Sequence, residues 1–154
     1  MKKTLLIALA CLSLCFSACS SEEGKLKKMA LEMGQKKFSE VIRQEAAEFL
    51  PDSEWLRQSY VELIDKNSEV EVEEIKFQGD NLAVVSVVVV TYPYRFRRTL
   101  LKVAGAVDVS KTRRFSFGEA LGLVAAQSPE KNKPSKQPLT VYKFSKGAEG
   151  WVAQ

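Results

Sequence analysis

Cationic and aromatic residues are concentrated between Tyr92 and Phe115, a stretch that contains one acid, Asp108. The bases are Arg95, Arg97, Arg98, Lys102, Lys111, Arg113 and Arg114. Arginine suits phosphate because its planar guanidinium group forms two parallel hydrogen bonds. If residues 94–102 pair with residues 111–115 as a ribbon, the cations gather into one anion-binding patch. The alternative is a solvated surface balanced by the acids of residues 69–74.

The chain contains no histidine. This removes the commonest general base, the commonest metal ligand and every Ser-His-Asp or Cys-His arrangement. Catalysis would have to rest on carboxylates, tyrosine, lysine or arginine. We therefore expect no catalytic residues, no metal site, no cofactor and no enzymatic activity.

The first residues have the pattern of an export signal. Lys2 and Lys3 precede an apolar run over residues 5–16, which is too short to cross a bilayer permanently. The run ends in Phe16-Ser17-Ala18-Cys19, which resembles the lipobox of bacterial lipoproteins, although Phe16 stands where the family usually has an aliphatic residue. The resemblance implies a signal peptide over residues 1–18 and lipid, palmitate included, on Cys19. An ordinary signal peptide with Cys19 left as a thiol is the alternative.

The lipobox resemblance also implies a location. Ser20 is not the aspartate that favours inner-membrane retention, so we expect an outer-membrane lipoprotein facing the periplasm. Residues 19–24 are polar and predict a short tether. Expected partners are the membrane through the N-terminal lipid and, in addition, envelope proteins or anionic lipid. Nucleic acid is not expected outside the cytoplasm.

Without residues 1–18 the chain has 21 basic and 19 acidic residues and about 135 residues in all. This length is typical of one domain with one hydrophobic core. We assign residues 25–154 to that domain.

The spacing of apolar residues predicts two helices at its start. From Lys25 they recur every three or four residues until Pro51. Asp52 or Ser53 can cap a second helix, which ends near residues 66–68. This helix is expected to turn Trp55, Leu56, Tyr60, Leu63 and Ile64 inward.

Strands follow the helices. Val70 and Val72 alternate with glutamates. After Glu73-Glu74 the apolar residues fall on the other set of alternate positions, so a bulge there is expected to keep them on one inward face. Residues 78–81 predict a turn, and residues 82–91 a central strand that pairs antiparallel and is covered on both sides. Residues 139–144 and 151–152 predict a closing hairpin.

The segment between these strands breaks the alternating pattern. Residues 92–94 interrupt the ladder, residues 95–103 are expected to resume as a strand, and residues 105–111 as a loop. Ser116 and Glu119 match a capping box for a short helix through Gln127. Residues 128–138 predict a loop. The fold class is therefore α+β: an N-terminal helical pair packed on a curled antiparallel sheet, with an inserted short helix.

This order is similar to the nuclear-transport-factor-2-like superfamily of cone-shaped domains. The resemblance rests on the helical pair, on residues 79–84 and on the turn from Lys146-Gly147 to Gly150-Trp151-Val152. It implies an apolar cavity, for which the candidate lining residues are Trp55, Tyr60, Tyr92 and Trp151. Enzymes of the family place a carboxylate deep in the cone, whereas residues 82–90 carry none.

Three functions are consistent with these features. The first is a non-enzymatic binding or assembly module at the membrane surface. The second is a carrier of a small apolar ligand, or an enzyme that uses the cone cavity. The third is a structural tether to the cell wall.

Overall fold

The computed structural model describes residues 21–110, 117–127 and 133–154, and Cys19 lies outside them. The described residues form an α+β fold. Its elements are α1 (Glu22–Phe49), α2 (Glu54–Lys66), β1 (Glu69–Phe77), β2 (Leu82–Thr91), α3 (Tyr94–Ser110), α4 (Phe117–Gln127), β3 (Ser135–Gly147) and β4 (Gly150–Ala153). No described helix is long and apolar enough to span a membrane.

Helix α1 begins three residues earlier than the sequence predicts. Ser21 is its N-cap and accepts a hydrogen bond from the Gly24 amide at 3.1 Å. Glu22 and Glu23 lie in the first turn, where carboxylates are favoured by the helix dipole. Residues 22–24, which the sequence analysis assigned to the tether, are therefore the first residues of this helix.

The sheet is a meander in the order β1-β2-β3-β4, with every neighbouring pair antiparallel. The predicted central position of β2 is confirmed. So is the predicted bulge, because the register between β1 and β2 shifts between Val72 and Glu74. The turn between these strands contains Gly79 at φ 72, a left-handed conformation that glycine adopts without strain.

Helix α1 lies lengthwise on one face of the sheet, which we call the inner face. Its residues Leu26 and Ala30 belong to a core cluster with Ala83, Val85, Val87, Phe144 and Trp151. Further along, Ile42 and Ala46 belong to a second cluster with Val89, α2 and α3. The contacts of α1 therefore move along β2 in the direction of the strand.

Close approach between α1 and the sheet depends on Gly34. A Cβ atom at this position would lie 2.8 Å from Val87 Cγ1 and 3.0 Å from Val70 Cγ1, nearer than such contacts normally come. Gly34 thus sets the distance between the helix and the strands.

The prediction of a strand over residues 95–103 and a loop from residue 105 is wrong. Residues 94–110 form helix α3, which with α4 makes the insertion between β2 and β3 two helices. Phe96, Leu100, Leu101 and Ala104 are buried at helical spacing, and the Pro93 carbonyl accepts from the Phe96 and Arg97 amides. Pro93 therefore lies directly before the helix, and its carbonyl accepts the first hydrogen bonds of α3.

The helix through Gln127 and the closing hairpin are confirmed. The loop predicted over residues 128–138 ends sooner than expected, because β3 begins at Ser135. Ser116 of the predicted capping box lies outside the described residues.

Candidate functional site

Arg97, one of the seven predicted anion-binding residues, is buried rather than exposed. Its guanidinium group donates to both carboxylate oxygens of Glu45, from Nε to Oε2 at 3.0 Å and from Nη2 to Oε1 at 2.7 Å. Its Nη1 donates to the Tyr92 carbonyl at 2.6 Å. Because only 6% of the Arg97 side chain and 11% of the Glu45 side chain are exposed, this pair is strongly desolvated. Arg97 therefore pairs with a carboxylate inside the protein and is not part of an exposed anion-binding surface.

Tyr60 completes this group, which we call the clamp. Its hydroxyl donates to Glu45 Oε2 at 2.8 Å. The clamp joins one residue each from α1, α2 and α3, so it ties three helices together at one point. Sequence reasoning assigned Tyr60 to a pocket and Arg97 to a surface patch, and it assigned no role to Glu45.

The clamp shifts the titration of its members. Burial raises the pKa of Tyr60, and the neighbouring Glu45 carboxylate raises it further. For Arg97 burial acts to lower the pKa, but the hydrogen bonds and charge of Glu45 more than offset it, and the pKa of Arg97 rises. Both shifts favour a neutral tyrosine and a charged arginine.

Arg95, Arg98 and Lys102 form a stripe on the exposed side of α3, which we call the basic face. All three are exposed, and their spacing of three and four residues places them on the same side of the helix. Residues 94–106 contain no acid. In the described part of the chain, the ion pairs do not involve these three residues. The structure thus brings three of the seven predicted cations together.

The other cations do not form the predicted ribbon with them. Residues 95–102 are helical, and Lys111, Arg113 and Arg114 lie outside the described residues. The acids of β1 face a different base, since Glu71 pairs with Lys136 at 3.1 Å. The basic face and the acidic strand are therefore separate surfaces.

The basic face lies at the end of the domain remote from Ser21. Arg98 lies over the Phe49 ring at 5.7 Å, and Leu50 lies within 3.4 Å of the position of a Cβ on Gly105. Glu45 is separated from Ser21 by most of α1, a distance of about 36 Å at 1.5 Å per residue.

The four predicted pocket residues do not share a cavity. Trp55 is 51% exposed, so the prediction that it turns inward is wrong. Tyr60 is buried in the core cluster that residues of α1, α2 and α3 form with Val89, and Tyr92 packs against that cluster. Trp151 belongs to the other core cluster.

Trp151 instead lines an open cleft of about 640 Å³ between the start of α1 and the β3–β4 turn. Its lining includes the lysines Lys25, Lys28 and Lys146 and the glutamates Glu22, Glu32 and Glu149. Such a lining suits a charged ligand better than an apolar one. Within the described residues no group of histidine, cysteine, aspartate and glutamate side chains has the arrangement of a metal site.

A scan against protein-family models, a search of curated proteins and a search of solved structures each found no match for this chain.

Proposed function

We propose that this protein is a lipid-anchored, non-enzymatic binding module of the bacterial envelope, and that its basic face holds an anionic cell-wall polymer. The observation that carries the proposal is the composition of α3: three exposed cations within residues 94–106, a stretch that contains no acid, on a helix that the clamp attaches to the core. The anchor rests on the lipobox resemblance at Cys19, two residues before the N-cap of α1.

The geometry favours a polymer over lipid phosphates of the anchoring bilayer. The lipid would hold the domain at the start of α1, whereas the basic face lies about 36 Å away along that helix. Opposite charges attract over only about 8 Å at physiological ionic strength. A domain whose α1 stands upright on the anchor would present the basic face away from the membrane.

The rival function, a carrier or enzyme with a cone cavity, receives less support. Its four candidate residues belong to two core clusters and the surface. Extraction of the purified protein with organic solvent tests this rival, because a carrier should release an apolar molecule.

The first experiment tests the anchor. Cys19→Ala should abolish labelling with a lipid precursor and leave the protein unprocessed or soluble. A processed Cys19→Ala protein that stays on the membrane would refute the lipoprotein assignment.

The second experiment tests the basic face by sedimentation with isolated peptidoglycan and, in parallel, with vesicles containing anionic lipid. Replacement of Arg95, Arg98 and Lys102 by glutamate should abolish peptidoglycan binding, and salt should weaken binding of the parent protein. The matched control replaces the exposed α1 residues Lys27, Lys36 and Lys37 by glutamate, which changes the net charge equally. Equal loss in both variants would show that net charge, rather than this face, drives binding. Binding to vesicles alone would replace the polymer with lipid as the partner.

A further inference from the structure

The cleft between the start of α1 and the β3–β4 turn is lined by a tryptophan whose polar atom lacks a partner. The indole Nε1 of Trp151 is buried, and no described residue accepts a hydrogen bond from it. Trp151 as a whole is only 9% exposed. Buried N–H groups almost always have an acceptor, because an unmade hydrogen bond inside a protein is costly. Since Trp151 lines the cleft, a bound molecule can supply the missing oxygen.

The cleft carries three lysines and three glutamates, and most of these charges are unpaired. One pair, Lys146 with Glu22, joins β3 to the first turn of α1. The other four form no ion pair with a described residue, and they are Lys25, Lys28, Glu32 and Glu149. A purely anionic ligand would meet two unpaired carboxylates, and a purely cationic ligand would meet two unpaired lysines. A ligand with one charge of each sign can pair with both.

Lys146 lies close to the indole ring. Its ammonium group is 5.8 Å from the centroid of the Trp151 ring. The side chains of Lys146 and Glu22 are 36% and 52% exposed, so solvent weakens their ion pair. A phosphate group that enters the cleft can therefore replace Glu22 as the partner of Lys146.

The cleft lies at the end of the domain where the chain meets its proposed anchor. Its lining begins with Glu22, three residues after Cys19, and three residues span at most about 11 Å. Lipid on Cys19 would therefore hold the cleft at the level of the phospholipid headgroups. The basic face lies at the other end of α1.

We propose that the cleft binds the headgroup of a phospholipid that carries both a phosphate and an ammonium group, as phosphatidylethanolamine does. The phosphate lies among the three lysines, and with Lys146 drawn away from the indole one of its oxygens accepts from Trp151 Nε1. The ammonium group lies between Glu32 and Glu149. The source of this lipid, the anchoring bilayer, rests on the proposed anchor at Cys19.

The bound headgroup gives the domain a second attachment to the bilayer. Lipid on Cys19 alone fixes one point and leaves α1 free to tilt, whereas two attachments at the start of α1 restrict the tilt. The cleft would thus keep the basic face away from the membrane, where a wall polymer can reach it.

Titration with dihexanoylphosphatidylethanolamine, kept below its micelle concentration, tests the cleft without a membrane. The protein is the chain from Ser20 onward, which contains every described element. Its two tryptophans give two indole N–H signals in a ¹H–¹⁵N spectrum, and Trp151→Phe identifies them. The Trp151 signal should move downfield as Nε1 gains an acceptor, whereas that of Trp55, 51% exposed on α2, should stay in place.

Charge variants test which side chains hold the headgroup. Lys25→Glu combined with Lys28→Glu should weaken binding at least about tenfold, because hydrogen bonds to the phosphate are lost. The matched control replaces Lys36 and Lys37, which are exposed on α1 outside the cleft, by glutamate. It changes the net charge equally and should bind like the parent. Circular dichroism verifies the fold of each variant.

The glutamates distinguish a ligand with both charges from a simple anion. Glu32→Gln combined with Glu149→Gln should weaken binding of phosphatidylethanolamine, whereas it would strengthen binding of an anion. Inorganic phosphate at the same concentration should leave the Trp151 signal in place, because it offers no partner to these two carboxylates.

A membrane experiment tests the source of the lipid. The chain from Cys19 onward has one cysteine, which can be coupled to a maleimide-bearing lipid in nanodiscs, so the result does not depend on lipidation in the cell. The Trp151 signal should move downfield in nanodiscs that contain phosphatidylethanolamine and not in nanodiscs of phosphatidylglycerol alone. Replacement of Arg95, Arg98 and Lys102 by glutamate should not alter this shift, which separates the cleft from the wall-polymer proposal.

Several results would overturn the proposal. A Trp151 signal that stays in place throughout the titration, or equal binding by the Lys25 and Lys28 variant and the parent, would show that the headgroup does not bind in the cleft. Tighter binding after the glutamate changes, or an equal shift with inorganic phosphate, would show an anion site instead. A shift in solution but not in the nanodiscs would exclude the anchoring bilayer as the source.

Discussion

Replacement of Arg97 by methionine should cost about 3–5 kcal/mol of stability, because it leaves the buried Glu45 carboxylate without its cation. The structure gives the reason for this magnitude: the change removes two hydrogen bonds to Glu45 and one to the Tyr92 carbonyl. Domains of this kind are typically stable by about 5–15 kcal/mol, so the loss is a large part of the total. Urea unfolding at neutral pH measures it.

The matched control is Lys76→Met, which breaks the exposed Lys76–Glu74 pair, with side chains 65% and 49% exposed. It should cost less than about 1 kcal/mol. A double-mutant cycle with Glu45→Gln should give a coupling of about 0.5–3 kcal/mol between Arg97 and Glu45. Hydrogen exchange should show faster opening of α3 in Arg97→Met, because the clamp holds that helix on α1. If Arg97→Met costs no more than Lys76→Met, the clamp does not stabilise the helices as described.

Three further predictions concern single residues. Gly34→Ala should destabilise the domain by about 1–3 kcal/mol, since the added methyl group meets Val87. The control is Gly122→Ala, where no described atom lies within 4 Å, and it should be neutral or stabilising by up to about 1 kcal/mol. A lower thermal unfolding midpoint for Gly122→Ala than for Gly34→Ala would contradict the close packing of α1. Folding raises the pKa of Tyr60 from 10.0, so the contribution of Tyr60 to stability is fully present below pH 10 and is lost as the pH rises further. Tyr60→Phe should therefore reduce the loss of stability that urea unfolding measures between pH 8 and pH 11. An unchanged dependence of stability on pH in this variant would count against the shift. Ser53→Ala should cost about 0.5–1 kcal/mol by removing the acceptor for the Leu56 amide, and an unchanged midpoint would mean that solvent caps α2 equally well.

Much of the fold follows from local patterns in the sequence. The four-residue spacing of buried side chains along α1, the serine caps and the glycine turn are all short-range features. The bulge could be predicted because the change of parity in β1 requires an extra residue if one face is to stay buried. A short segment does not distinguish a strand from a helix as clearly by its sequence pattern. Phe96, Leu100 and Leu101 have the spacing of one helical face, but the preceding Tyr-Pro-Tyr is also typical of an interruption within a sheet.

The sequence alone determined which charges the protein carries, and it predicted which catalytic chemistries lack their usual residues. It did not determine the partners of those charges. Glu45 and Arg97 are 52 residues apart and meet only because α3 packs against the end of α1. That contact removes Arg97 from the surface and leaves Arg95, Arg98 and Lys102 on the basic face.

The same holds for the charged residues of the sheet. Alternation along each strand shows which side chains point together, whereas the order β1-β2-β3-β4 places Glu71 and Lys136 on either side of β2, where their side chains pair at 3.1 Å. Such an arrangement depends on pairing between strands distant in the chain. Only the tertiary structure decides it, because local residue patterns specify the shape of each element but not its neighbours.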